Sequence, residues 1–341
     1  MTLRFADSFD YYATADITKK WTATDGTAPT IQSGAGRRGS QCLRIPNAAS
    51  SVSKALDAHA SWVIAFAFNP GSLPSSAVRI AVAFDAATEH LRLRLNTDGT
   101  VSVLRGGSTV LSTSAVSINF GSYGFLEWKF TINDTTGSYD VRYNGVSITS
   151  GSGVDTRNGG NATVNLIQLR SSAETSGSNW DIDDLCICDG AGSVNNDFLG
   201  DVRVDYYLPS GNGNSSQLAG SDGNSTDNYA LVDEALQNGD TDYVQSATVN
   251  QKDTYAFSDM AHTPTDIFAV QINMVARKDD SGTRSICAVT RSGGSDTDGA
   301  TQALSTSYLS LREILETDPN TAAAWTRTNF NNAEFGAKVA A

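Results

Sequence analysis

The chain has 341 residues, enough for about two domains. Its 24 Lys and Arg stand against 37 Asp and Glu, a formal net charge of −13. That balance excludes nucleic acid as the main partner and disfavours an anionic membrane surface, because both need clustered cations. No apolar run reaches the length of a membrane span.

The opening MTLRFADSFDYY has no apolar h-region, so no Sec leader is expected and the chain reads as made in a cytoplasm. Residues 1–192 carry 15 basic and 17 acidic side chains, whereas 193–341 carry 9 and 20. An asymmetry of that size predicts two modules. Cys42, Cys186, Cys188 and Cys287 show no paired spacing and are expected as reduced, half-buried thiols.

In chain order, SWVIAFAFNP (61–70) reads as a buried strand stopped by Pro70, with AVRIAVAFDA (77–86) as its neighbour. LRLRLNTDGTVSVLRG alternates cleanly. Leu91, Leu93 and Leu95 take one face, and Arg92 and Arg94 the other. Asp98-Gly99 supplies a hairpin turn, because both turn positions favour positive φ. In FLEWKFTINDTTGSYDVRYNGVSI, Leu126, Trp128 and Phe130 alternate with Glu127 and Lys129, and Tyr139, Val141 and Tyr143 with Asp140 and Arg142. ATVNLIQLRSS (162–172) and WDIDDLCIC (180–188) complete a series of strands with no long helix before residue 192. The fold class expected is all-β: a jelly-roll β-sandwich over 1–192, then a second, acidic β-rich domain over 193–341 with one or two short helices.

DGAGSVNND (189–197) marks the boundary, and the Gly/Ser/Asn-rich stretch from Tyr206 to Asn228 reads as an extended surface loop. YALVDEALQNG (229–239) suggests a short helix ending at Gly239. Strands are expected at 243–250, 252–260 and 266–278, with SICAVTRSG (285–293) pairing with the last of these. The stretch 307–325 mixes a strand or short helix with a stop at Asp318-Pro319.

Catalytic patterns are thin. His59, His90 and His262 sit in unrelated contexts, and no H-E-x-x-H, G-x-S-x-G or P-loop occurs. Glycoside hydrolysis needs two carboxyl groups held close together. Glu127 is the one carboxylate of its strand, so no enzymatic role is expected.

NWDIDDLCICDG (179–190) leaves three readings. Strict alternation would put Asp181, Asp183, Leu185 and Ile187 on one face, and Ile182, Asp184, Cys186 and Cys188 on the other. Asp181 and Asp183 are then candidate Ca²⁺ ligands. Cys186 and Cys188 are weak candidates for a soft metal. The plainest reading is a closing strand whose aspartates cap turns. The second candidate site is a polar sheet surface formed by Arg92, Arg94, Glu127, Lys129, Asp140 and Arg142, whose mixed charges suit sugar hydroxyls.

Four stretches carry a resemblance: FADSFDYY, FLEWKFTINDTTGSYDVRYNGV, IQLRSS and WDIDDLCICDG. In this order they resemble the concanavalin A-like, laminin-G-like jelly roll, a fold shared by lectins, glycanases and structural modules. NGDTDYVQSATVNQKDTYAFSDM, IFAVQINMVARKDDSGTRSI, ALSTSYLSLREILETDPNTAAAWT and NNAEFGAKV resemble a domain of tailed-bacteriophage virion proteins. That resemblance implies a tail, baseplate, fibre or capsid-surface component, made in the host cytoplasm and residing in the virion. Its partners would be other virion proteins and further copies of itself, a trimer being favoured. The jelly roll would be displayed and would bind host-surface polysaccharide. A purely architectural decoration protein and a polysaccharide depolymerase are the alternatives.

Overall fold

The structure is a computed structural model that describes residues 2–170 and 177–341. It divides into two compact units, Met1–Asp205 and Tyr206–Ala341. The division falls later than the expected 192/193 because residues 193–205 fold back onto the first unit. The tail of the expected strand 162–172, at Ser171 and Ser172, lies outside the described residues.

Among the described residues the first unit holds fifteen strands. They are β1 Leu3–Asp7, β2 Ala23–Gly26, β3 Thr30–Ser33, β4 Gln41–Ile45 and β5 Ser50–His59. Next come β6 Ser61–Pro70, β7 Val78–Asp85, β8 Thr88–Leu95, β9 Thr100–Arg105 and β10 Thr109–Ser117. The last are β11 Gly124–Thr131, β12 Gly137–Tyr143, β13 Val146–Val154, β14 Val164–Leu169 and β15 Trp180–Asp189. One sheet runs β13-β12-β11-β6-β15-β4-β3, with β1 also on β15, and the other runs β10-β9-β8-β7-β14-β5-β2. The all-β architecture expected from the sequence is the one observed.

Alternation decides what lies between the sheets. Leu91, Leu93 and Leu95 from one sheet meet Trp62, Ile64, Phe66, Phe68, Leu126, Trp128 and Phe130 from the other in a single buried core. The strand Val78–Asp85 is not the neighbour of Ser61–Pro70, as expected. β6 pairs β11 and β15, while β7 pairs β8 and β14 in the opposite sheet. Two apolar strands in succession can share a core by facing each other across it, and periodicity does not distinguish that from pairing.

The motif FADSFDYY anchors the start of this core. Asp7 is fully buried. It accepts hydrogen bonds from Lys20 Nζ (3.0 Å), Tyr12 Oη (2.8 Å), Trp21 Nε1 (3.2 Å) and the Phe9 N–H (3.0 Å). A buried carboxylate is tolerated when every lone pair is used and a cation sits beside it. The network ties β1 to the single turn of helix α1, Ile17–Lys20.

The second unit adds β16 Pro209–Ser216, β17 Ala219–Gly220, β18 Val244–Gln245, β19 Lys252–Phe257 and β20 Val270–Ala276. Then come β21 Ser285–Ser292, β22 Ser295–Asp298, β23 Gln302–Ala303, β24 Leu309–Leu315, helix α2 Arg327–Asn331 and β25 Glu334–Val339. Its main sheet runs β16-β19-β25-β21-β22.

Three expectations change here. Part of the Gly/Ser/Asn stretch is strand β16, alternating half-buried and exposed along an edge. The helix expected at 229–239 is one 3₁₀ turn, Asn228–Leu231, because Asn228 is committed to Asp253 and to the Leu218 carbonyl. β21 pairs β25, not β20, and β20 forms a separate ribbon with β24. Between β20 and β21 the chain closes on itself, with Asp280 accepting from the Gly282 N–H at 3.0 Å and from Arg284 at 2.7 Å.

Candidate functional site

The feature that organises the first unit's outer surface is a bulge in β15. Asp183 pairs Ala67 and Cys186 pairs Ala65, so Asp184 and Leu185 together oppose Phe66. Asp184 takes φ +50°, a left-handed conformation in which Asp is tolerated better than most residues. The extra residue reverses the alternation. Ile182, Leu185 and Ile187 all enter the core, and Asp181, Asp183, Cys186 and Cys188 share the outer face. The two-face split expected for this motif is therefore corrected.

The bulge is also a seam. On the edge away from β6, β15 pairs β4 at Trp180–Ile182 and β1 at Leu185–Cys188. Asp183 and Asp184 stand where one partner ends and the other begins, and they bind the loop that crosses there. Asp183 accepts from the Arg37 N–H at 2.8 Å, and Asp184 accepts from Arg38 Nη1 at 2.6 Å. Burial, reinforced by the adjacent Asp184, pushes the Asp183 carboxyl up to about 7. Asp181 is held bidentately by Arg44, at 2.7 and 2.8 Å. Its oxygens are taken by a guanidinium, so the expected pairing of Asp181 and Asp183 as Ca²⁺ ligands does not match their partners. Among the described residues no cluster of three or more metal-ligating side chains occurs. All four cysteines are buried, and burial pushes the Cys186 thiol well up.

The face itself can be laid out from the register. Across it run the rows Phe125–Ala67–Asp183, Arg142–Glu127–Ala65–Cys186 and Asp140–Lys129–Val63–Cys188. The middle column, Val63, Ala65 and Ala67, is small, so these side chains floor a shallow trough between taller flanks. Cations line it: Lys129 and Arg142 on one flank, and Arg37 and Arg38 from the β3–β4 loop on the other. Arg37 lies 5.5 Å from the Phe125 ring centroid.

Residues 197–204 cross this trough. Lys129 Nζ donates to Asp197 Oδ1 at 3.0 Å. The Arg142 guanidinium lies 3.8 Å from the centroid of Phe198. The Gly200 N–H donates to Glu127 Oε1 at 3.0 Å. Arg37 grips Asp201 with both terminal nitrogens, and the Val204 N–H donates to Asp184 Oδ1 at 2.8 Å. Gly200 has φ +78°, a conformation that brings its amide down to Glu127 without strain. Glu127 is 1% exposed, and its Oε2 has no hydrogen-bond partner. Burial holds its carboxyl above the usual carboxylate range. The Lys129 ammonium, with the Phe198 N–H, holds Asp197 below it.

The six residues expected to form one polar surface are thus divided. Glu127, Lys129, Asp140 and Arg142 are together. Arg92 and Arg94 lie on β8, in the opposite sheet, pointing away from the same core. Arg92 is paired with Glu89, and Arg94 donates to Asn96 at 3.0 Å. Alternation gives each residue's side of its own sheet, but it says nothing about which sheet. Sequence reasoning missed Arg37 and Arg38, whose signal was a pair of cations in the Gly/Ser loop SGAGRRGS. It also read Asp197 as part of the boundary stretch 189–197 and assigned Phe198 and Asp201 to the second domain.

No protein-family model matches the chain, and no curated protein matches it in sequence. Solved structures with partial likeness include a sialidase (14% identity, TM-score 0.42), with 55% of this chain and only 18% of the sialidase covered. An endo-β-1,4-glucuronan lyase from the fungus Trichoderma reesei is 11% identical with TM-score 0.40, covering 50% of this chain and 91% of the lyase. An alginate lyase in complex with alginate trisaccharide is 11% identical with TM-score 0.41, covering 55% and 98%. The expectation of a chain without enzymatic activity is corrected by these neighbours, all of them enzymes named for glycan substrates, and it is not carried further. At such identities and scores the likeness assigns no substrate and no catalytic residue to this chain.

Proposed function

We propose that the first unit engages an acidic polysaccharide on the outer face of the β13-to-β3 sheet, and that the chain serves this role as a component of a bacteriophage particle. One observation carries the glycan reading. The cations of the trough are positioned for carboxylates and a ring presented by an extended chain, because residues 197–204 already satisfy them in that way. Arg37 binds its carboxylate in the two-pronged geometry that guanidinium groups use for planar anions. Asp197 and Asp201 are four residues apart, so the two anion positions lie within about 14 Å of each other along an extended chain. Sugar carboxylates along a polyuronate present charge in the same spaced manner. The particle reading is supported by the sequence resemblance of the second half and by the acidic, Lys-poor composition.

Depolymerisation of the same glycan is the second reading. It is favoured by Glu127, a buried carboxyl beside the floor of the trough with one unpartnered oxygen and a pKa raised by burial. A carboxyl raised above its ordinary range is better suited to general acid catalysis than an exposed one.

Calorimetric titration with uronic-acid and neutral oligosaccharides tests the binding, and release of new chain ends from the polymer tests cleavage. Binding confined to the acidic series is expected. Equal affinity for neutral sugars, or none for any, would overturn the reading. Immunolabelling of purified particles tests the location.

A further inference from the structure

Resting on that reading, we infer that residues 197–204 are a displaceable strap, a built-in occupant that fills the glycan face and must leave before ligand binds. The strap imitates the proposed ligand with two carboxylates, Asp197 and Asp201, and one ring, Phe198. These contact Lys129, Arg37 and Arg142, three cations of the trough.

Its attachment is that of a docked segment, not a sheet strand. The strap contributes no residue to a β-ladder, and its two backbone N–H bonds to the face end on the carboxylates of Glu127 and Asp184. Of its apolar side chains only Val202 is buried, with Phe198, Leu199 and Val204 partly exposed. Its two ion pairs with the face reach solvent on the acidic side: the Asp197 side chain is 68% exposed and that of Asp201 50%. The single-contact Lys129–Asp197 pair is of the kind that holds weakly, and the Arg37–Asp201 fork is the stronger of the two.

The face beneath is incompletely satisfied. Glu127 is sealed from water, yet only one of its two oxygens has a donor. The strap brings one N–H where a hydroxyl-rich ligand would bring several donors. Residues 197–204 can lift without breaking the core, because Phe198, Val202 and Val204 are not part of the buried cluster between the sheets.

The test uses the full chain and the triple variant Asp197→Asn, Phe198→Ala, Asp201→Asn, none of whose positions belongs to the trough. A uronic-acid oligosaccharide is the probe, with its neutral counterpart as control. Titration calorimetry reads affinity, and hydrogen exchange reads the Gly200 and Val204 amides. The expected result is at least tenfold tighter binding by the variant, with both amides of the unmodified chain exchanging faster at saturation. If the variant binds no tighter and the amides stay protected with ligand bound, the strap is a fixed cover and the inference falls while the glycan reading stands. If neither protein binds although the variant's amides exchange freely, the glycan reading itself falls and takes the strap's competitive role with it.

Discussion

The two units solve the same problem, holding short strands together, by different means. The first encloses a continuous apolar core that includes Trp21, Trp62, Trp128 and Trp180. The second has a far smaller cluster around Val270, Trp325, Phe330 and Phe335, and it supplements this with buried carboxylates. Asp253 is fully buried and takes the N–H groups of Gln217 (2.6 Å) and Leu218 (2.8 Å), together with Asn228 and Tyr255. Asp318 likewise receives the Asn320 N–H, Thr321 and Asn329. A unit with little apolar surface to bury uses a saturated carboxylate to gather loop amides that water would otherwise hold. The first unit also buries carboxylates, and of those on its outer face Glu127 keeps one oxygen without a donor.

The largest expected effect separates the cores. Trp128→Ala should cost about 4 kcal/mol, the usual scale for deleting a buried Trp side chain, and should lower only the first unit's unfolding transition in differential scanning calorimetry. A matching fall in the second unit's transition would mean that the two are not independent.

The second test uses opposite pH responses. Asp183 is raised from 3.8 to about 7 by burial and by Asp184, so the folded first unit favours its protonated form. Its contribution is therefore fully present in acid and is lost as pH rises from about 4 to about 7, by at most about 4 kcal/mol. Asp318 goes the other way. Burial pushes it up, but hydrogen bonds from Ser292, the Asn320 N–H, Thr321 and Asn329 outweigh that and leave it lowered. Its contribution is present at neutral pH and is lost as pH falls below about 4. Denaturant unfolding of each unit from pH 4 to 8 should show the first weakening toward neutrality. Asp183→Asn should flatten that slope; an unchanged slope would remove Asp183 as its cause.

Asp253→Ala should destabilise the second unit by about 3 kcal/mol, because it strands several buried donors at once. Urea titration followed by Trp325 fluorescence would read it. A loss below 1 kcal/mol would show that water replaces the carboxylate and would narrow the contrast with the first unit.

The smallest effects distinguish the two outer faces of the sandwich. Arg92→Ala should leave uronic-acid binding unaltered, since the Arg92 guanidinium pairs with Glu89 in the opposite sheet. Arg142→Ala should weaken that binding several-fold. Equal effects of the two would erase the distinction between the faces.

Much of the first unit was legible in sequence because alternation with period two reports directly on burial. Leu91, Leu93 and Leu95, and Leu126, Trp128 and Phe130, are core as their spacing predicts. The turn at Asp98-Gly99 follows the same local logic, with Gly99 at φ +82°. The candidate site was half legible. Glu127, Lys129, Asp140 and Arg142 were found because they alternate with core residues. Arg37, Arg38 and Asp201 were not, since they lie in loops whose positions depend on what they fold against. In the second unit the alternation of β20 was clear while its partner was not, because backbone hydrogen bonds are the same whichever strand supplies them.

The motif NWDIDDLCICDG shows the division most plainly. Its sequence by itself determined a buried strand rich in acids, for no other element places Trp, Ile, Leu and Ile so densely between carboxylates. Only the tertiary structure decided that Asp184 bulges, that Cys186 and Cys188 therefore join Asp181 and Asp183 on one face, and that an arginine loop and the chain's own strap lie over them. A bulge costs one residue of register and is invisible to periodicity on either side of it. The sequence states which side chains avoid water, and the packing of distant segments decides what the remaining charges meet.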